Sequence, residues 1–281
     1  MIVARTVAEL RAALRDRRDG AIGLVPTMGA LHEGHATLLR AARQADDTVV
    51  MSIFVNPTQF NEQSDLAAYP RTEEADLALA QAAGVDVVFA PDAAEVYPPG
   101  FATTVSVTGP IAETLEGAER GRAHFDGVAT VVTKLLLAAL PDHAYFGAKD
   151  AQQVAVIRRL VADLGLPVSL VVCPTSRDDD GLARSSRNTR LSPDERARAL
   201  AIPRALQEMT DAAAAGIVDA EALRARGTAT LEASGIRPEY VALVDPETFA
   251  PVAEIAGPVL VAIAARVGAT RLIDNTVIGG A

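Results

Sequence analysis

Along the first two thirds of the chain, short apolar runs rich in Val, Ile and Phe alternate with longer segments whose apolar residues recur at helical spacing. The runs AIGLV (21–25), TVVMSIFV (48–55) and VDVVFA (85–90) predict strands, and HATLLRAARQA and EEADLALAQAAG between them predict helices. Farther on, FDGVATVVTKLLLAAL (125–140) predicts a buried helix and HAYFG (143–147) a short strand. An amphipathic helix over 150–165 and a strand VSLVVC (168–173) follow. Strands separated by helices form right-handed βαβ units, so this order predicts the α/β class: a doubly wound parallel sheet, Rossmann-like in architecture.

The pattern breaks at PTSRDDDGLARSSRNTRLSPDER (174–196), which is polar and has no apolar period. It ends in SPDE, where Ser192, Pro193 and Glu195 form a capping box opening a new helix. The boundary expected here separates a domain over 1–175 from a smaller one over 176–281. Beyond it come two alanine-rich helices, about 193–214 and 219–233, and strand-like runs at 239–245, 258–267 and 270–275. That set predicts a small C-terminal α+β domain.

Composition narrows the picture. The chain has 281 residues, 49% hydrophobic and 22% charged, which fits a globular protein with one large or two unequal domains. A net charge of −10 argues against a nucleic-acid surface, since phosphate neutralisation needs a basic face. The single cysteine, Cys173, lies in an apolar run and reads as a buried structural residue. The N-terminus becomes charged within a few residues, and no stretch approaches the length of a membrane span; the expectation is a cytoplasmic protein.

In an open parallel sheet, ligands collect where strand C-termini meet helix N-termini, because unpaired amides and the helix dipole attract anions there. PTMGALHEGH (26–35) lies at such a junction: Gly29 and Gly34 let backbone approach a phosphate, and His32 and His35 supply ring donors. Two other readings stand beside it. HEGH is not the zinc motif HExxH, since its histidines are at i and i+3 and no third ligand is apparent. The pair could also simply cap a helix and fill a turn.

Three further segments carry chemistry. In FVNPTQFNEQSDLAAYPRT (54–72), Asn56 and Pro57 stop the strand and Gln59 offers a donor and acceptors beside Phe60; the alternative is a polar surface loop. FGAKD (146–150) repeats the junction with a cation, Lys149, placed to stabilise charge between phosphates. Asp150 and Gln153 also fit a capping box, which is the stronger local reading. In SSRN, Ser185, Ser186 and Arg187 could close over a polyphosphate, against the alternative of a solvated linker whose charges are Arg184, Arg187 and Arg190.

Taken in order, VPTMGALHEGH, SIFVNPTQFN, YPRT, HFDGVATVVTKL, FGAKDAQQVAVIRRLVADL, DGLARSSRN and AARVGATRLIDN resemble the pantothenate synthetase (pantoate–β-alanine ligase) family. The resemblance spans nearly the whole chain. It implies a nucleotidylyltransferase-type sheet and an ATP- and Mg2+-dependent adenylation of pantoate, followed by attack of β-alanine, with no nucleic-acid or membrane partner. It also implies a homodimer. Met28 through His35 would form the ATP loop, with His32 and His35 on the phosphates and His35 the candidate proton donor. Gln59 and Gln153 would bind pantoate, with Val128 and Val132 as a wall for its methyl groups. Gly147 and Asp150 would hold ribose, Lys149 the α-phosphate, and Ser185, Ser186 and Arg187 would form the phosphate lid. Asp76, after YPRT, is the candidate carboxylate for Mg2+.

The chain departs from the family pattern in places. ERGRAHF lacks the usual proline and leaves Arg120 and Arg122 as alternatives for one arginine; Ala148 replaces a glutamate; Arg184 and Ser176 stand where apolar residues are usual, near the nucleotide. Two other functions fit the same fold: a nucleotidyltransferase that moves AMP to a phosphorylated acceptor, and a non-catalytic nucleotide- or tRNA-binding module.

Overall fold

The structure, a computed structural model, describes residues 1–60 and 63–279, with the backbone alone at 63–65. Asn61, the last residue of SIFVNPTQFN, falls outside the described residues. The described chain divides into two compact units, Met1–Ala148 with Val156–Pro174, and Lys149–Ala155 with the segment from Thr175 on.

The first unit opens with β1 (Ile2–Ala4), α1 (Val7–Leu14), β2 (Ile22–Thr27), α2 (Glu33–Ala45) and β3 (Thr48–Ile53). After β3 come α3 (Gln63–Ala68), α4 (Glu73–Ala82), β4 (Val87–Phe89) and the short helices α5 (Ala93–Val96), α6 (Pro110–Glu113) and α7 (Glu116–Arg120). The long α8 (Arg122–Ala139), β5 (His143–Gly147), α9 (Ala151–Leu164) and β6 (Ser169–Cys173) complete the sheet. Six parallel strands lie in the order β1-β4-β3-β2-β5-β6. β1 was not expected: three residues are too few to show a period.

The order reverses at β2. Right-handed crossovers therefore put α2 and α4 on one face and α1 and α8 on the other. Leu39 and Ala42 of α2 and Ala80 of α4 share a core with Val25, Val49, Met51 and Val88, while α8 packs on α1 and β2. β2 and β5 pair only through Gly23↔His143 and Leu24↔Ala144. Beyond Leu24, β2 carries Pro26, which has no N–H to give a neighbour, and the two strands part there. This is the switch point at which such sheets bind ligands.

At the opposite end of these strands a buried polar cluster closes the sheet. Asp46, which ends α2, receives the Tyr145 hydroxyl at 2.5 Å and lies 2.6 Å from His143 Nδ1. Burial, with the Asp46 carboxylate adding to it, holds the Tyr145 phenol far above its ordinary value, so it stays a donor. Gly23 is required beneath it, since a Cβ there would collide with the Asp46 carboxylate.

The second unit contains α10 (Pro193–Ala199), α11 (Ala201–Ala214), α12 (Ala220–Ala233) and an antiparallel sheet β7-β8-β9 (Pro238–Val244, Val259–Val267, Thr270–Ile278). Ile202, Leu206 and Met209 of α11 and Leu223 and Leu231 of α12 pack on Val261 and Ile263 of β8. The Ser192–Glu195 capping box forms as expected. The single helix expected over 193–214 is broken at Leu200, because Pro203 offers no N–H to the Ala199 carbonyl. β9 runs to Ile278, past the expected Asn275, paired throughout with β8.

Gly127 of α8 lets that helix lie on the 3-10 turn Pro57–Gln59: a Cβ would stand 2.5 Å from Thr58 O and 2.8 Å from Gln59 N. Both obstacles are backbone and cannot rotate away. Gly127→Ala is expected to cost about 1–3 kcal/mol through overpacking, read as a lowered thermal midpoint of unfolding.

Candidate active site

At the mouth of the first unit, β2 hands the chain to α2 through Met28–His32. Thr27 takes the place of ladder bonds at the strand end: its N–H donates to Ser52 Oγ at 3.2 Å and its hydroxyl to Ser52 O at 2.6 Å. Thr27 Oγ1 also accepts the Gly29 N–H at 3.2 Å. Gly29 and Ala30 then hold φ of +79° and +50°; for alanine that conformation costs about 1–2 kcal/mol.

The two histidines form a capping box usually made by a hydroxyl and a carboxylate. His32 Nδ1 accepts the Gly34 N–H at 3.1 Å, and His35 Nδ1 accepts the His32 N–H at 3.2 Å. The ring centroids lie 4.1 Å apart. An Nδ1 that accepts an amide hydrogen cannot itself carry a proton, so each neutral ring holds its proton on Nε2. Of the two readings set against each other on spacing alone, capping is what Nδ1 of each ring does. The structure modifies one detail: Gly34 lies within the first turn of α2, and its amide is occupied by the His32 ring.

Gln59 is set by Asn56, a buried side chain that uses all its bonding capacity. Asn56 Nδ2 donates to Gln59 Oε1 and to Gly127 O, each at 3.1 Å. Its Oδ1 accepts from Thr58 N, Thr58 Oγ1 and the Tyr97 hydroxyl, the last at 2.8 Å. Burial raises the Tyr97 phenol above its ordinary value and keeps it a donor. With its carbonyl engaged, Gln59 presents Nε2, which contacts Met28 Sδ at 3.0 Å. His124 Nδ1 lies 2.9 Å from Gln59 O. Val128 and Val132 are both buried on α8, beside Gly127. Gly147 ends β5, and a Cβ there would meet nothing within 4 Å.

Asp76, the carboxylate expected for Mg2+, is engaged by the backbone of the β2–α2 turn. Its oxygens accept the Ala30 and Leu31 amides at 3.0 and 2.8 Å, and it is 2% exposed. Among the described residues no group of three or more His, Cys, Asp or Glu could hold a metal ion. Mg2+ that rests mainly on substrate phosphates and water needs no such group. Of the alternative arginines, Arg120 pairs with Glu116 at 2.9 Å, while Arg122 Nε lies 3.9 Å from Asp126.

In the second unit, Asn275 of β9 donates to the Lys149 carbonyl at 2.7 Å and so anchors the segment that carries Lys149, Asp150 and Gln153. Lys149 Nζ lies 3.9 Å from the Asp150 carboxylate. Asp150 ends a 3-10 turn, Ala148–Asp150, directly before α9, the helix that carries Gln153. The neighbouring Asp274 takes a bidentate contact from Arg177 at 2.7 and 3.1 Å. One strand thus ties down both the Lys149 segment and the start of the 176–187 loop.

Within that loop the Arg184 N–H donates to Ser176 O at 2.9 Å, and its Nε to Arg177 O at 2.9 Å, with Asp178 at 3.2 Å. Arg184 is thereby held by its own loop. Ser185 Oγ accepts the Arg187 N–H at 3.2 Å and starts a 3-10 turn over Ser186–Arg190. Ser186 and Arg187 are exposed on it.

A parallel sheet whose order reverses at β2, with paired histidines at that point, is an α/β arrangement of the doubly wound class, with its ligand-binding edge at the switch point. The model of the pantoate–β-alanine ligase family matches residues 2–277. The chain belongs to that family. It is 51% identical over 279 residues to a pantothenate synthetase of Roseiflexus castenholzii, covering 99% of each chain. It is 50% identical to one of Acidobacterium capsulatum, covering 98% and 96%. The crystal structure of pantothenate synthetase from Thermus thermophilus superposes with a TM-score of 0.92 at 49% identity over 98% of this chain and 99% of that one. A pantoate–β-alanine ligase from Francisella tularensis, in complex with β,γ-ATP and β-alanine, gives 0.81 at 34% identity over 98% and 97%.

The cap makes a direct prediction. Nitrogen NMR of the free protein is expected to show both His32 and His35 as the Nε2–H tautomer; an Nδ1–H form at either would contradict the cap.

Proposed function

We infer that the chain condenses (R)-pantoate with β-alanine at the expense of ATP, through a pantoyl-adenylate intermediate. The observation that carries this reading is 51% identity to a pantothenate synthetase over 279 residues, 99% of this chain and 99% of that one. A carboxylate resists attack by an amine until one oxygen becomes part of a leaving group. In the first step a pantoate carboxylate oxygen attacks the α-phosphorus of ATP and pyrophosphate leaves. In the second the β-alanine amine attacks the acyl carbon, AMP leaves with the C–O bond electrons, and the amide keeps the nitrogen after losing a proton.

The residues take parts their chemistry suits. His32 and His35 donate from a ring N–H to phosphate oxygens, and His35 is the candidate proton donor to the departing phosphate. Lys149 stabilises negative charge that grows between the α- and β-phosphates. Gln59 Nε2 and the Gln153 amide bind pantoate oxygens, and Val128 and Val132 face its methyl groups. Met28, Gly29 and Gly34 belong to the nucleotide loop, Gly147 and Asp150 to the ribose site, and Ser176 and Arg184 to the nucleotide edge. Ser185, Ser186 and Arg187 act as the lid of a C-terminal domain. Mg2+ enters with the ATP phosphates, and no step here is routed through a protein-held metal. Homodimeric assembly and a cytoplasmic location complete the reading, with light scattering as the check on assembly. No helix of the described residues is long and apolar enough to cross a membrane.

The test is to incubate the purified protein with ATP, Mg2+ and pantoate, then add β-alanine and follow AMP and pantothenate. Pantoate-dependent pyrophosphate exchange is expected before β-alanine is added, and its absence sinks the reading. Exchange without amide formation would restore the nucleotidyltransferase alternative, which the relatives do not favour. Lys149→Ala is expected to lower adenylation about 100- to 1,000-fold, the usual loss of one preorganised charge contact; near-normal turnover removes Lys149 from the chemistry.

A further inference from the structure

Asp76 is a buried carboxylate with no part in the steps above. Its neighbours at the start of α4, Glu73 and Glu74, are exposed, whereas Asp76 is 2% exposed. Oδ2 accepts the Ala30 N–H at 3.0 Å and the Thr72 hydroxyl at 3.2 Å, and Oδ1 accepts the Leu31 N–H at 2.8 Å. All three donors are neutral. Two consecutive amides on one carboxylate fix the two peptide planes that flank Ala30, and therefore its φ and ψ.

That backbone needs fixing. Gly29 and Ala30 are successive residues at positive φ, and alanine adopts this conformation only when something holds it there. The fit is close: a Cβ at Gly29 would lie 2.9 Å from Asp76 Oδ2. His32 follows at once, and its extended backbone, φ −138° and ψ 176°, opens the two-histidine cap. The direction in which the chain leaves Leu31 decides where both rings stand.

We propose that Asp76 is a positioning residue: it clamps Ala30 and Leu31 so that the His32–His35 cap is formed before ATP arrives. The inference rests on the reading of Met28–His35 as the nucleotide loop.

Two variants of the full chain test it. Asp76→Asn keeps one acceptor but sets an NH2 group against the second backbone N–H. Asp76→Asn combined with Ala30→Gly gives the loop a residue that takes positive φ without help. The readouts are amide exchange over residues 28–36 by mass spectrometry, ATP binding by calorimetry, and rates against ATP and against Mg2+. In Asp76→Asn, loop exchange is expected to quicken about tenfold or more and ATP affinity to fall about 10- to 100-fold, because only part of the population holds the competent loop. Rates at saturating ATP change less, and the added glycine recovers part of the affinity. Unchanged loop exchange overturns the proposal. So does a loss that extra Mg2+ restores while loop exchange stays at the wild-type value, which makes Asp76 a metal ligand. Faster loop exchange with unchanged ATP affinity also overturns it, by taking the loop out of the nucleotide site; pyrophosphate exchange by the unmodified protein separately reports whether the ligase reading stands. Thr72→Val, which removes only the hydroxyl that orients the carboxylate, is the milder check should Asp76→Asn not fold: a few-fold shift in exchange and affinity supports the clamp, and none overturns it.

Discussion

The first turn of α2 has amides that must be bonded, and the chain meets that need with imidazoles. Because Nδ1 of His32 and of His35 each accepts a backbone N–H, the rings are fixed in orientation and in tautomer by the same two bonds. A serine–glutamate box would cap the helix equally well. With histidine, one ring nitrogen serves the fold, and the ring carries a second nitrogen besides. The rest of the first unit is organised around keeping that turn in place: the Thr27–Ser52 pair ends the strand before it, and Pro26 marks where β2 parts from β5.

Around this turn, much of the polar structure acts at one remove from any ligand. Asn56 engages the carbonyl of Gln59 and so decides which end of that amide is presented. Gly127 lets α8 approach the same turn closely enough for its carbonyl to be an Asn56 partner. In the second unit, Asn275 does for the Lys149 backbone what Asn56 does for Gln59. Each of these groups has its hydrogen bonds made inside the protein, so none needs to rearrange for the site to be ready.

The hydrophobic pattern foretold the alternation of β2, α2, β3, α4, β4, α8, β5, α9 and β6 because each of those elements is long enough, or buried enough, to show a period. β1 escaped notice at three residues, and the break at Leu200 was masked by a helical apolar pattern that continues on both sides of Pro203. The site was legible as a set of motifs but not as a set of contacts. His32, His35, Gln59 and Lys149 stand at strand ends and announce themselves by chemical type. Asn56, Asp76 and Asn275 work through partners 71, 46 and 126 residues away, and spacing carries no trace of such pairings. Asp76, read by charge, suggests a cation near a phosphate loop; its bonds to the Ala30 and Leu31 amides are invisible in the sequence.

The division of the chain has a consequence for how such a protein can be altered by evolution. The second unit takes Lys149–Ala155 from the middle of the first, so the residues that Asn275 holds are encoded far upstream of the strand that holds them. No single crossover point in the gene could exchange one unit and leave the other whole: an exchange at the 174–175 join would pair a new β9 with an old Lys149 segment. The two stretches of sequence form one compact unit, although more than a hundred residues lie between them.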